Sequence, residues 1–173
     1  MSNLVQRTKP PTENDVWYYS ENPFYISGVG MPNCTAYAWG RFYEATGMRP
    51  TLSLDNAEKW YLASDGYERG LDPKIGAIAC WSKGSAFDSN DGAGHVAFVE
   101  RVYIDGSILT SESGWADARF WWTKRRYQTQ PNWGGGEYTF QGFIYPPVNF
   151  ENTVMFSTPI LLALWKMSRN GGL

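Results

Sequence analysis

Cys34 and His95 are the two residues of this chain whose types suit covalent chemistry, a thiol that attacks once it is thiolate and the single histidine able to take and return its proton. Cys34 lies in Asn33-Cys34-Thr35-Ala36-Tyr37-Ala38-Trp39-Gly40-Arg41, directly after the breaker-rich run Gly28-Val29-Gly30-Met31-Pro32. That run predicts a turn and a cap, and the residues after it favour a helix that starts near Cys34 and is ended by Gly47. The first N–H groups of a helix have no partner within it and favour negative charge, so the position suits a thiolate. His95 opens the apolar run Val96-Ala97-Phe98-Val99, which reads as a strand. Each residue alone has a plain structural reading, since free cysteine packs as a small hydrophobe and a lone histidine is commonly a satisfied packing residue. A cysteine at a helix start together with a histidine at a strand start is what points to a nucleophile and its base.

An imidazole acting as base gains from an acceptor that fixes its tautomer. Glu112 fills that role on spacing: it ends the strand Ser107 to Glu112, and Asp105-Gly106 between the two strands predicts a hairpin. Pairing through that turn joins residues whose numbers sum to about 211, which makes His95 and Glu112 diagonal neighbours and leaves a bulge or side-chain reach to close the gap.

The elements that must hold these groups follow from pattern. At 173 residues the chain can bury one ordinary core. We expect an N-terminal arm over 1–22, a catalytic domain over 23–148 and a tail over 149–173. After the Cys34 helix, Asp55-Asn56-Ala57-Glu58-Lys59-Trp60-Tyr61-Leu62-Ala63 reads as a second short helix. From Ile75 the period shortens, and Ile75 to Trp81, His95 to Val102, Ser107 to Glu112, Trp121 to Tyr127 and Phe140 to Tyr145 read as strands. Helices first and an antiparallel sheet after define an α+β fold. Cys80 sits inside an apolar strand, so it reads as a buried small residue that leaves Cys34 free, although the two could in principle pair.

A net charge of −2 argues against nucleic acid as partner, and Lys124-Arg125-Arg126 reads as a solvated face. Aromatic residues make up 17% of the chain and many sit beside Gly, Asn or Asp, which suits a groove for sugars or extended peptides; Trp115 is the leading candidate. The N-terminus shows no secretory signal, and no stretch approaches the roughly 20 apolar residues of a membrane span. Thr158-Pro159 followed by Ile160-Leu161-Leu162-Ala163-Leu164-Trp165-Lys166-Met167 reads as a short helix apolar on nearly every side, to be covered by its own domain, a partner subunit or a membrane surface.

The combination of Asn33-Cys34-Thr35-Ala36-Tyr37-Ala38-Trp39-Gly40-Arg41, Asn56-Ala57 with Trp60, Pro73-Lys74-Ile75-Gly76-Ala77-Ile78-Ala79-Cys80-Trp81, Gly94-His95-Val96-Ala97-Phe98-Val99-Glu100 and Ser111-Glu112-Ser113-Gly114-Trp115 resembles the CHAP domain, the cysteine, histidine-dependent amidohydrolase/peptidase module of phage lysins. The resemblance covers about residues 25 to 146 and implies a papain-like fold with helices packed on an antiparallel sheet. It implies bacterial peptidoglycan as substrate, cut by an endopeptidase or an N-acetylmuramoyl-L-alanine amidase. Carried over by position, Cys34 is the nucleophile, His95 the base and acid, and Glu112 the orienting group. Asn33 and the Cys34 N–H would form the oxyanion hole, and Trp81, Gly94 and Trp115 the substrate groove.

Two departures from the pattern are visible. Gly114 stands where many phage members have an Asn, and Ser20 to Pro32, the place of an Asp-rich calcium loop in some members, holds only Glu21 as a carboxylate. No metal or cofactor is therefore expected, and Phe87-Asp88-Ser89-Asn90-Asp91-Gly92 reads first as a plain turn. Without a separate wall-binding domain, the apolar tail suggests a virion-associated lysin bound to phage tail proteins through residues 154–170. A free phage endolysin or its catalytic fragment, and a non-catalytic tail or wall-binding structural protein with a vestigial hydrolase site, are the alternatives.

Overall fold

Asn33 opens the helix that carries the thiol. In the computed structural model, which describes residues 3–83, 94–115, 119–128 and 138–151, its backbone is extended and its side chain accepts from the Thr35 N–H at 2.9 Å. That places Cys34 at the first helical position of α2 (Cys34–Thr46), which Gly47 ends in the left-handed conformation as expected. Thr35 to Phe42 of α2 are all buried, because the sheet covers one side and the 3₁₀ turn Val16–Tyr18 covers another. Gly40 makes that second contact possible: a Cβ there would come within 2.7 Å of both the Trp17 carbonyl oxygen and the Tyr18 ring. Within the stretch read as an arm, Tyr18 and Tyr19 are thus core residues, and Arg7 bonds Glu44 of α2 at 2.6 Å. Two four-residue helices complete the layer, α1 (Pro23–Ile26), capped by Asn22, and α3 (Ala57–Trp60).

The predicted strands form with small shifts at their ends: β2 (Ile78–Lys83), β3 (His95–Val102), β4 (Ile108–Glu112), β5 (Trp121–Arg125) and β6 (Tyr138–Ile144). The two-residue β1 (Arg69–Gly70) was not expected from the pattern and pairs with β6. Together they make an antiparallel sheet in the order β1-β6-β2-β3-β4-β5, an α+β fold. Both faces of its centre are covered, so β2 and β3 read as nearly unbroken apolar runs rather than alternating ones. On one face Cys80, Val96 and Phe98 meet Trp39, Phe42 and Trp60 of the helices. On the other, Ala79, Trp81, Ala97 and Val99 form a second core with Tyr127 and Phe143. Tyr127, just past β5, reaches Phe140 and Phe143 of β6 at 4.8 and 4.9 Å between ring centres, so the sheet curls round this second core. Among the described residues no helix is long and apolar enough to cross a membrane.

One irregularity matters for the chemistry. The β3–β4 hairpin pairs Val102 with Ile108 and Arg101 with Leu109, then slips so that Val99 faces Thr110 and Phe98 faces Ser111, leaving Glu100 as a bulge. Side chains alternate faces along a strand, so a one-residue slip decides which residues share a side. Continued one step, the slipped register sets Glu112 opposite Ala97, on the face of His95. The unslipped register would set it opposite Phe98, on the other face.

Candidate active site

α2 presents Cys34 half-buried at its first turn, and the start of β3 presents His95, which is 4% exposed. The imidazole lies near enough to the Cys34 thiol for the thiol to raise its pKa. His95 Nε2 lies 2.7 Å from Glu112 Oε2, which leaves Nδ1 as the ring nitrogen for Cys34. The structure therefore brings the three residues together, His95 bonded to Glu112 and beside Cys34. Cys34 and Cys80 are both free, Cys80 being fully buried, and burial pushes its thiol pKa up.

Burial works against charge on His95, but Cys34 and the hydrogen-bonded Glu112 outweigh it and hold the imidazole pKa above its ordinary value. Glu112 is entirely buried, which alone would raise its pKa; the His95 hydrogen bond and the positive charge of Arg125 reverse that and hold it below the ordinary range. Thr110 Oγ1 lies 2.7 Å from Glu112 Oε1, and Arg125 Nη2 donates to the same oxygen. The carboxylate thus stays ionised inside the protein and supports an imidazolium beside it.

Three expectations change. Trp81 is 0% exposed, so it cannot line a substrate groove. Its Nε1 donates to the Tyr127 carbonyl at 2.8 Å and its ring lies 5.9 Å from that of His95, which makes it the packing surface behind the base. Asn33 is engaged by its own helix end: Oδ1 accepts from the Thr35 N–H and hydroxyl, and Nδ2 donates to the Val29 carbonyl at 3.0 Å. Its amide serves as cap, which leaves of the expected pair only the Cys34 N–H without a partner inside the helix. Arg125 belongs to the run read as a solvated face, yet it is 2% exposed and paired with Glu112, while Lys124 and Arg126 on either side are exposed. Alternation along β5 carried that signal, since every second residue must turn inward.

Gly94 is partly exposed at φ +108, and a Cβ there would come within 2.6 Å of the Trp81 carbonyl oxygen and 2.8 Å of the Glu58 nitrogen. It lets β3 start tight against α3. Trp115, expected in the groove, is 69% exposed three residues beyond Glu112; Tyr25, Ile26 and Val29, which the sequence pattern does not single out, are exposed in the segment leading to Cys34. The turn at 87–92, the aromatic residues at 131–136 and the apolar run 160–167 lie outside the described residues.

An α+β fold that sets a thiol at a helix start beside a carboxylate-bonded imidazole on the sheet has the groups that nucleophilic thiol chemistry needs. The CHAP domain family description matches residues 24–114, more than half of the chain, and the chain belongs to that family. It is 42% identical over 103 residues to the N-acetylmuramoyl-L-alanine amidase sle1 of Staphylococcus epidermidis, a match covering 58% of this chain and 29% of that protein. It is 34% identical over 124 residues to the protein named "Probable autolysin SsaALP" of Staphylococcus aureus, covering 70% of this chain and 41% of that one. With the staphylococcal secretory antigen SsaA of Staphylococcus aureus it shares 35% identity over 97 residues, 55% of this chain and 32% of the other. The chain therefore matches between 29% and 41% of the length of these curated relatives.

Proposed function

We propose that the protein is a peptidoglycan hydrolase that cuts amide bonds of bacterial cell-wall peptides. The observation that carries this reading is the convergence of Cys34, at a helix start, with His95, which bonds Glu112 at 2.7 Å. The names of the amidase and autolysin relatives support the substrate class. Cys34 thiolate attacks the carbonyl carbon, and the oxygen takes the negative charge facing the Cys34 N–H. His95 passes its proton to the leaving nitrogen as the C–N bond breaks, leaving a thioester. It then takes a proton from water, the hydroxide adds to the thioester carbon, and the thiolate departs with the acid product. Trp115 and the exposed Tyr25, Ile26 and Val29 supply apolar contact surface for the substrate.

Replacing Cys34 by Ala tests the reading in a cell-wall zymogram. Loss of clearing with unchanged near-UV circular dichroism is the expected result; clearing equal to the parent overturns it. As to setting, we favour a virion-associated lysin held to a phage tail through residues 154–170. The support is the apolar pattern of 160–167 in the sequence. Finding the protein in purified phage particles by mass spectrometry checks this, and its absence from them favours a free lytic enzyme.

A further inference from the structure

We propose that Arg125 is a positioning residue that balances the charge of Glu112 and thereby sets how tightly His95 holds its proton. The inference rests on the reading of Cys34 and His95 as nucleophile and base. Arg125 pairs across the sheet with Ile108, four residues before Glu112, and Ile108, Thr110 and Glu112 share one face. Its side chain runs along that face to donate to Glu112 Oε1, beside the Thr110 hydroxyl that meets the same oxygen. The guanidinium carbon lies 5.2 Å from the centre of the Trp81 ring, and that ring backs the His95 imidazole. One buried cation therefore touches the carboxylate directly and the base through one indole.

Charge accounting gives the pair its consequence. Glu112 and Arg125 cancel, so the site is neutral overall whether Cys34 and His95 exist as thiol and imidazole or as thiolate and imidazolium. Without Arg125 the same buried group would carry one net negative charge, and the imidazolium would keep its proton more tightly. The proton must leave His95 for the departing nitrogen, so an uncompensated Glu112 would hold it back. Among the described residues the charged or titratable groups that act on His95 and Glu112 are Cys34 from α2 and Arg125 itself; Glu58 of α3 meets Gly94 through its backbone nitrogen and Cβ, and the Tyr127 phenol is influenced by Asp72. None of the others replaces the cation.

The chain has one histidine, so its imidazole NMR signal is identified without assignment. The test is the pH midpoint of that signal in the full chain, for the parent, Arg125→Gln and Arg125→Lys. Arg125→Gln is expected to move the midpoint up by about half a pH unit or more, a threefold or larger rise in proton affinity. Arg125→Lys, which keeps the charge, stays near the parent, and the alkaline limb of hydrolysis moves with the NMR midpoint. A folded Arg125→Gln with an unmoved midpoint overturns the inference, as does an Arg125→Lys displaced as far as Arg125→Gln. Should Arg125→Gln fail to fold, Glu112→Gln compared with Glu112→Gln/Arg125→Gln repeats the comparison without the carboxylate: a higher midpoint in the double variant supports the role of the cation, and equal midpoints overturn it. The titration reads charge whether or not wall peptides are the substrate, so failure here and failure of the hydrolase reading give different results.

Discussion

Arg41 of α2 and Glu100 in the β3 bulge hold each other through two hydrogen bonds, Nε to Oε1 at 2.8 Å and Nη2 to Oε2 at 2.9 Å. Ser111 donates to the same carboxylate at 2.7 Å, and Arg41 also reaches Glu44 and the Val5 carbonyl. The pair ties the helix that begins with the thiol to the residue whose insertion turns Glu112 towards His95. The geometry of the site thus depends on a buried ion pair that touches none of its three members.

Removing one partner leaves a buried charge alone, so Arg41→Met should cost about 3–5 kcal/mol in urea unfolding. Arg41→Met/Glu100→Met, which removes both charges, should recover a large part of that loss. Equal losses in the single and double variants would show that packing rather than charge holds the bulge.

The pH dependence of stability follows from the two shifted groups. Glu112 is held below its ordinary 4.5, so its contribution is full above that value and is lost as pH falls through its lowered folded pKa. His95 is held above its ordinary 6.5, so its contribution is full below that value and is lost as pH rises through its raised folded pKa. The difference in Tm between the parent and Glu112→Gln should be largest between these two ordinary values and shrink on both sides. A difference that keeps growing towards pH 8 would contradict the assignment.

The two tryptophans should separate stability from substrate contact. Trp81→Ala opens the second core and should cost about 3–5 kcal/mol. Trp115→Ala removes an exposed ring, so stability should change by no more than about 0.5 kcal/mol while the KM for soluble wall fragments rises. An unchanged KM in Trp115→Ala would remove that residue from the binding surface.

Much of this was legible in the chain because it is local. The Asn33 cap, the Gly47 stop and the Asp105-Gly106 turn each act within a few residues, and they placed α2 and the β3–β4 hairpin. The position of the bulge was not legible, because Glu100 is drawn out by Arg41, 59 residues earlier in the chain. Arg125 was misread for a similar reason: a run of three basic residues looks solvated until strand alternation and a buried carboxylate on the next strand claim the middle one. The resemblance put Trp81 in the groove, and only the curling of the sheet over it shows that it is core.

The central claim is that the Cys34 thiolate is the attacking group. Treating the folded protein with iodoacetamide, then following site occupancy by peptide mass spectrometry and wall hydrolysis on the same samples, tests it most directly. We predict that hydrolysis falls in proportion to alkylation of Cys34, at one equivalent, while buried Cys80 stays unmodified. Full hydrolysis by protein whose Cys34 is completely alkylated would contradict the account.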